Sequence, residues 1–102
     1  TSLEEDNNSI SPLFEINNCY PNPFSTHLTV SYNSSKPNRV DVGIFNIRGQ
    51  RVASYSMNSK EGINSFSWDG RDLDGLSVSS GVYFAKITND SRTHCRKVVL
   101  LK

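Results

Sequence analysis

The chain has 102 residues, two cysteines and a formal net charge of +1, which places it in the single-domain range. Hydrophobic residues make up 35% and aromatic ones 10%, enough for one modest core and suited to a thin two-layer β structure. The charges are few and mixed, as in Arg39-Val40-Asp41, so no basic stripe exists for nucleic acid, and no apolar run is long enough to cross a bilayer.

Residues 1–12 read as a polar linker. Glu4-Glu5-Asp6-Asn7-Asn8-Ser9 carries no periodic apolar signal with which to offset its ordering entropy. A first strand is expected at Leu13-Phe14-Glu15-Ile16. Tyr20-Pro21-Asn22-Pro23-Phe24 follows, and two prolines around one asparagine predict a rigid corner.

From there the pattern has period two. Leu28, Val30 and Tyr32 alternate with Thr29 and Ser31, and Val40, Val42 and Ile44 alternate with Asp41 and Gly43. Asn46-Ile47-Arg48-Gly49 predicts a tight hairpin in which Gly49 supplies positive φ. The apolar residues of the return strand, Gln50 to Met57, are Val52, Tyr55 and Met57, and they slip phase once, as a bulge or an edge strand would. Phe66 and Trp68 alternate with serines. Asp69 to Gly75 is a loop rich in glycine and aspartate. Gly81 to Ile87 is apolar on both faces and therefore predicted central, and His94 to Leu101 is the last strand. The expected fold is all-β: an antiparallel immunoglobulin-like sandwich of about seven strands.

Candidate chemistry is sparse. Asp69, Asp72 and Asp74 could hold calcium, but they lack the alternate spacing and distal glutamate of a calcium loop, and a turn explains them better. Gly75-Leu76-Ser77-Val78-Ser79 lacks the second glycine of a nucleophile elbow and precedes a strand. No serine has a paired base, so no catalytic residue is expected. His27 and His94 show no metal-ligand spacing; neither a metal nor any other cofactor is expected. Trp68 and Tyr83 could stack on a sugar, although alternation makes Trp68 a core residue. Asn7, Asn33 and Asn89 open glycan-acceptor triplets by chance in a chain rich in Asn and Ser. Cys19 and Cys95 allow two readings, a bridge worth ~4 kcal/mol by loop closure or two ordinary thiols.

The end of the chain, Arg96-Lys97 followed by Val98-Val99-Leu100-Leu101-Lys102, also has two readings. It is either a core strand with a basic start or a linear signal, and an edge strand can be captured by β-augmentation.

Four stretches carry a resemblance: Tyr20-Pro21-Asn22-Pro23-Phe24; Val42-Gly43-Ile44-Phe45-Asn46-Ile47-Arg48-Gly49; Trp68-Asp69-Gly70-Arg71-Asp72 through Gly75, then Ser80-Gly81-Val82-Tyr83-Phe84; and the basic-then-apolar tail. In this order they resemble the C-terminal sorting domains of type IX secretion. The middle motifs are shared with the immunoglobulin-like domain of the flagellar hook-capping protein.

The resemblance implies a non-catalytic signal domain over residues 13–102, attached to an N-terminal cargo domain of the same chain. It implies passage through the periplasm, recognition by the type IX machinery, and delivery to the cell surface or medium. Removal by a sortase-like cysteine protease would fall within Thr1 to Ser11. Recognition would rest on Lys97, Val98, Val99, Leu100, Leu101 and Lys102. Pro21, Asn22, Pro23, Gly49, Asp69, Gly70, Gly75 and Gly81 would form turns. Cys19 and Cys95 lie outside the family pattern and suggest a staple peculiar to this lineage. A structural spacer and a carbohydrate-binding appendage of a secreted hydrolase are the rival expectations.

Overall fold

The computed structural model describes residues 14–89 and 92–102. The expected linker over residues 1–12, its cleavage region, and part of the last turn lie outside them. Seven strands run through the described residues: β1 (Phe14–Tyr20), β2 (Leu28–Ser34), β3 (Asn38–Asn46), β4 (Arg51–Ser59), β5 (Gly62–Trp68), β6 (Gly81–Thr88) and β7 (Thr93–Leu100). They form a three-stranded sheet of order β1-β2-β5 and a four-stranded sheet of order β4-β3-β6-β7, antiparallel throughout. The architecture is an immunoglobulin-like sandwich in which the fourth strand stays beside the third.

Alternation decides which face is buried. β2 buries Leu28, Val30, Tyr32 and Ser34 and leaves the residues between them half-exposed. β3 buries Val40, Val42 and Ile44, and β6 buries Tyr83, Ala85 and Ile87. These inward side chains meet those of the facing sheet in one core that also takes Ile16, Cys19, Phe24, Ala53, Trp68, Val98 and Leu100. Packing these apolar faces against each other supplies the principal stabilisation.

The phase slip of the return strand is a bulge. Ile44 pairs with Ala53 but Phe45 pairs with Arg51, so Val52 is the additional residue. Beyond it Ala53, Tyr55 and Met57 pack on the core. The hairpin before it is held by Asn46, whose Oδ1 accepts from the N–H groups of Arg48 and Gln50 at 2.9 and 3.0 Å. Gly49 closes the turn at φ 83°.

The first strand is longer than the four-residue stretch expected from the sequence. It continues through Asn17 and Asn18 to Tyr20, with an irregularity between Ile16 and Asn18 that returns Cys19 to the inward phase opposite Val30. Polar residues lowered its apolar signal, while the ladder to β2 holds its backbone all the same.

Candidate functional site

Three aromatic side chains tie the conspicuous sequence motifs into one unit. Trp68, at the end of β5, lies between Phe24 of the proline corner, 5.6 Å away, and Tyr83 of β6, 5.4 Å away, measured between ring centroids. All three are buried. Each polar tip has a partner: the Trp68 indole N–H donates to the Arg71 carbonyl at 2.9 Å, and the Tyr83 hydroxyl to the Ser79 carbonyl at 2.7 Å. With Trp68 and Tyr83 inside the core, neither offers a platform for sugar stacking. The carbohydrate expectation loses the two residues it was built on.

The corner grips the terminal strand. Asn22 accepts from the Val99 N–H at 3.0 Å through Oδ1 and donates to the Lys97 carbonyl at 3.3 Å through Nδ2. Two residues on, the Phe24 N–H donates to the Val99 carbonyl at 2.9 Å, and the Phe24 carbonyl accepts from the Leu101 N–H at 2.8 Å. Phe24 and Leu100 thus form a short parallel bridge. β7 is an edge strand by topology, yet these bonds occupy its outer backbone groups at Lys97, Val99 and Leu101. Capture of this stretch by β-augmentation, considered from the sequence, would first have to displace the corner.

Further along β7, side chains take over from backbone. The Ile16 N–H of β1 donates to His94 Nδ1 at 2.9 Å, and the Arg96 guanidinium donates to the Ile16 carbonyl at 2.9 Å. His94 is therefore occupied by the seam between the sheets, while His27 is exposed in the loop after the corner.

The six tail residues separate into two groups. Val98 and Leu100 are core residues, 0% and 1% exposed. Lys97, Leu101 and Lys102 are exposed and Val99 is half-buried, so contact with another molecule falls to these four. Lys102 folds back on the loop before β6: its backbone N–H donates to the Ser80 hydroxyl at 3.0 Å and its ammonium donates to the Ser77 hydroxyl.

The aspartate loop is a turn held by its own carboxylates. Asp72 Oδ1 accepts from the N–H groups of Asp74 and Leu76, both at 2.9 Å. Asp69 lies 3.7 Å from Arg71, an exposed pair of little energetic weight. Gly70 and Gly75 take φ of 75° and 81°, and Gly70 is buried with Leu100 as its near neighbour. Gly81 opens β6, and Pro21 and Pro23 both follow cis peptide bonds in the corner.

The bridge weighed between Cys19 and Cys95 is not formed; both thiols are free. The reason is parity. Cys19 points into the core, whereas Cys95 lies on the outward phase of β7 with Thr93, Lys97 and Val99. The β7 residue whose charge acts on Cys19 is Arg96. Burial pushes the Cys19 thiol up, and the guanidinium pulls against that shift without cancelling it. Such a thiol is a core hydrophobe rather than a reactive group.

Sequence reasoning assigned Asn22 to a turn and missed its hold on β7; it also missed Phe24 as the link between corner and tail. The available signal was the coincidence of a polar side chain between two prolines with a chain end whose outer edge needed partners. Among the described residues no cluster of three or more metal-ligating side chains occurs, and no helix is long and apolar enough to cross a membrane.

Fold and motifs together define a class: an immunoglobulin-like module whose last strand is locked into the core by its opening corner. A family model described as the secretion system C-terminal sorting domain matches residues 18–101. The chain belongs to that family, the C-terminal sorting domains of type IX secretion, which serve delivery to the cell surface or the extracellular space. A search of curated proteins finds no match.

Solved structures share the fold. The dimeric latent PorU of Porphyromonas gingivalis superposes with a TM-score of 0.76 at 18% identity, over 90% of this chain and 10% of that one. PorZ of the same organism, described as an essential surface component of its type-IX secretion system, gives 0.59 at 18% identity, over 85% and 11%. The hook-capping FlgD of Xanthomonas campestris gives 0.61 at 19% identity, over 85% and 64%. The chain thus spans about a tenth of the length of the two secretion-system proteins.

Proposed function

We propose that this domain is a non-catalytic address carried by a larger secreted protein, read in its folded state after the cargo has reached the periplasm. The type IX machinery recognises the exposed side chains of Lys97, Leu101 and Lys102 together with half-buried Val99, and conducts the chain across the outer membrane. A sortase-like protease then cuts within Thr1 to Ser11, ahead of the sorting domain assigned to residues 13–102. The cargo lies N-terminal to this cut and is released or joined to the surface.

The observation that carries this reading is the division of the tail. Its backbone and two of its apolar side chains are committed to the fold, while Lys97, Val99 and Leu101 face outward at one end of the sandwich and Lys102 reaches the solvent-exposed Ser77 hydroxyl. A folded strand displaying a fixed set of side chains suits recognition without unfolding.

Removing Val98 to Lys102 outright is a poor test, because it also removes two core residues. The better comparison fuses residues 1–102 to a periplasmic reporter in a type IX-competent bacterium, with and without Lys97→Ser, Leu101→Ser and Lys102→Ser combined. The native fusion should reach the medium or the surface, and the triple variant should stay in the periplasm with an unchanged melting curve. Retention of the native fusion would contradict the address; export of the triple variant would contradict the assignment to these side chains.

A further inference from the structure

The outward face of the four-stranded sheet has a pattern that the sandwich itself does not use. Register places Arg51, Phe45, Phe84 and Lys97 in a single row across β4, β3, β6 and β7. At ordinary strand spacing that row spans about 14 Å. The next row is Ser54, Gly43, Lys86 and Cys95. Phe45 lies over Gly43, where an added Cβ would stand 2.8 Å from the ring, and it is flanked by two cations. The Arg51 guanidinium carbon and the Lys86 ammonium each lie 5.4 Å from the Phe45 centroid.

The charge on this face is one-sided. The two rows hold three cations and no carboxylate. Asp41, one row further along, already accepts from the Ser56 hydroxyl at 2.6 Å and lies 3.8 Å from Arg39. The whole chain carries a net charge of only +1, so this concentration of positive charge is local. Half-exposed phenyl rings beside arginine and lysine form a surface with an apolar centre and a cationic rim, and aromatic side chains and arginine are the types enriched at protein interfaces.

We propose that this face is a second docking surface, and that its occupant is an acidic surface on a protein of the export machinery. The inference rests on the sorting role described above and deepens it: Lys97 stands in both sites and joins the tail to the sheet. An acidic partner would pair with Arg51, Lys86 and Lys97 while an apolar side chain covers Phe84 and Phe45. Binding would therefore be steered by charge and weakened by salt.

The test uses the same reporter fusion with Arg51→Glu and Lys86→Glu combined, neither residue belonging to the tail. Export should fall by about tenfold or more, as expected for like charges facing a complementary interface. Arg51→Lys with Lys86→Arg should export normally, and so should Ser65→Glu with Ser67→Glu on the outward face of the other sheet. If the double reversal fails to fold, Ser54→Glu adds a carboxylate to the same face without removing a packing group and should lower export in the same direction.

Export of the folded reversal variants at the native level overturns the inference and leaves the tail assignment standing. Retention of the native fusion overturns the sorting role itself, and the inference with it. Flotation of the isolated chain with phosphatidylglycerol vesicles distinguishes the remaining source of negative charge. No flotation at physiological salt is expected; flotation that the reversal abolishes would put a lipid surface on this face and overturn the protein partner.

Discussion

Asn22 holds Val99 by the backbone, accepting its N–H at 3.0 Å, while the same amide donates to the Lys97 carbonyl two residues earlier. A side chain near one end of the domain thereby substitutes for a neighbouring strand at the other end. An edge that would invite pairing with another chain is closed, and the tail displays side chains in place of backbone.

Asn22→Ala should destabilise the domain by about 1 kcal/mol, the net worth of one or two exposed hydrogen bonds. The more specific result is local. Amide exchange at Val99 should accelerate well beyond any change at Val98, whose backbone points to β6 in the ladder. Equal acceleration at both positions would mean that the loss is global.

Phe24→Ala should cost about 3–5 kcal/mol, because the ring is fully buried against Trp68 and its removal leaves a cavity. Trp68 emission should shift to the red as water reaches the indole. Chemical denaturation followed by that emission measures both effects, and a loss below about 1 kcal/mol would show that the site can collapse around the gap.

Alkaline pH should weaken the fold in two stages. Burial raises Cys19 above its ordinary 9.0 and Tyr32 and Tyr55 above their ordinary 10.0, with Asp69 adding to the Tyr55 shift. In the unfolded chain these groups lose their protons first, so the folded state binds more protons as pH rises past the unfolded values. Stability is therefore fully present below pH 9 and declines through the raised folded values. Cys19→Ala should remove the earlier part of that decline and leave the tyrosine part, as read by melting temperature against pH.

The two thiols should react at different rates. Cys95 is exposed and should be alkylated by iodoacetamide in the native protein, whereas buried Cys19 should react only after denaturant is added. Intact mass should show one adduct under native conditions and two when unfolded. A mass lower by two hydrogens with no native adduct would demonstrate a bridge.

The turn glycines should differ in tolerance. Gly49→Asn puts a residue that accepts positive φ into open space and should change stability by less than about 0.5 kcal/mol. Gly70→Ala places a Cβ at φ 75° in a buried turn beside Leu100, and should cost about 1–2 kcal/mol. Thermal melts of the two variants would separate them.

Much of the architecture was legible in the residues themselves. Alternation located β2, β3 and β5 because a half-buried strand must repeat every two positions, and the broken phase among Val52, Tyr55 and Met57 left a bulge or an edge strand as its two explanations. The centrality of β6 followed from apolar residues on both faces. Polar Asn17 and Asn18 hid the second half of β1, since its hydrogen bonds to β2 leave no mark on hydropathy.

The site was less legible. Val98 to Lys102 reads as one apolar run with a cation at its end, and only packing divides it into buried Val98 and Leu100 and displayed Val99, Leu101 and Lys102. Whether Cys19 meets Cys95 depends on which way each strand faces across a gap between sheets, a quantity that spacing does not contain. By itself the chain determined the local things: where strands run, where turns fall, and which family the motifs belong to. The tertiary structure decided the juxtapositions, Asn22 on Val99 and Arg51 in one row with Lys97, because hydrogen bonds and charges act through space between residues that the sequence places far apart.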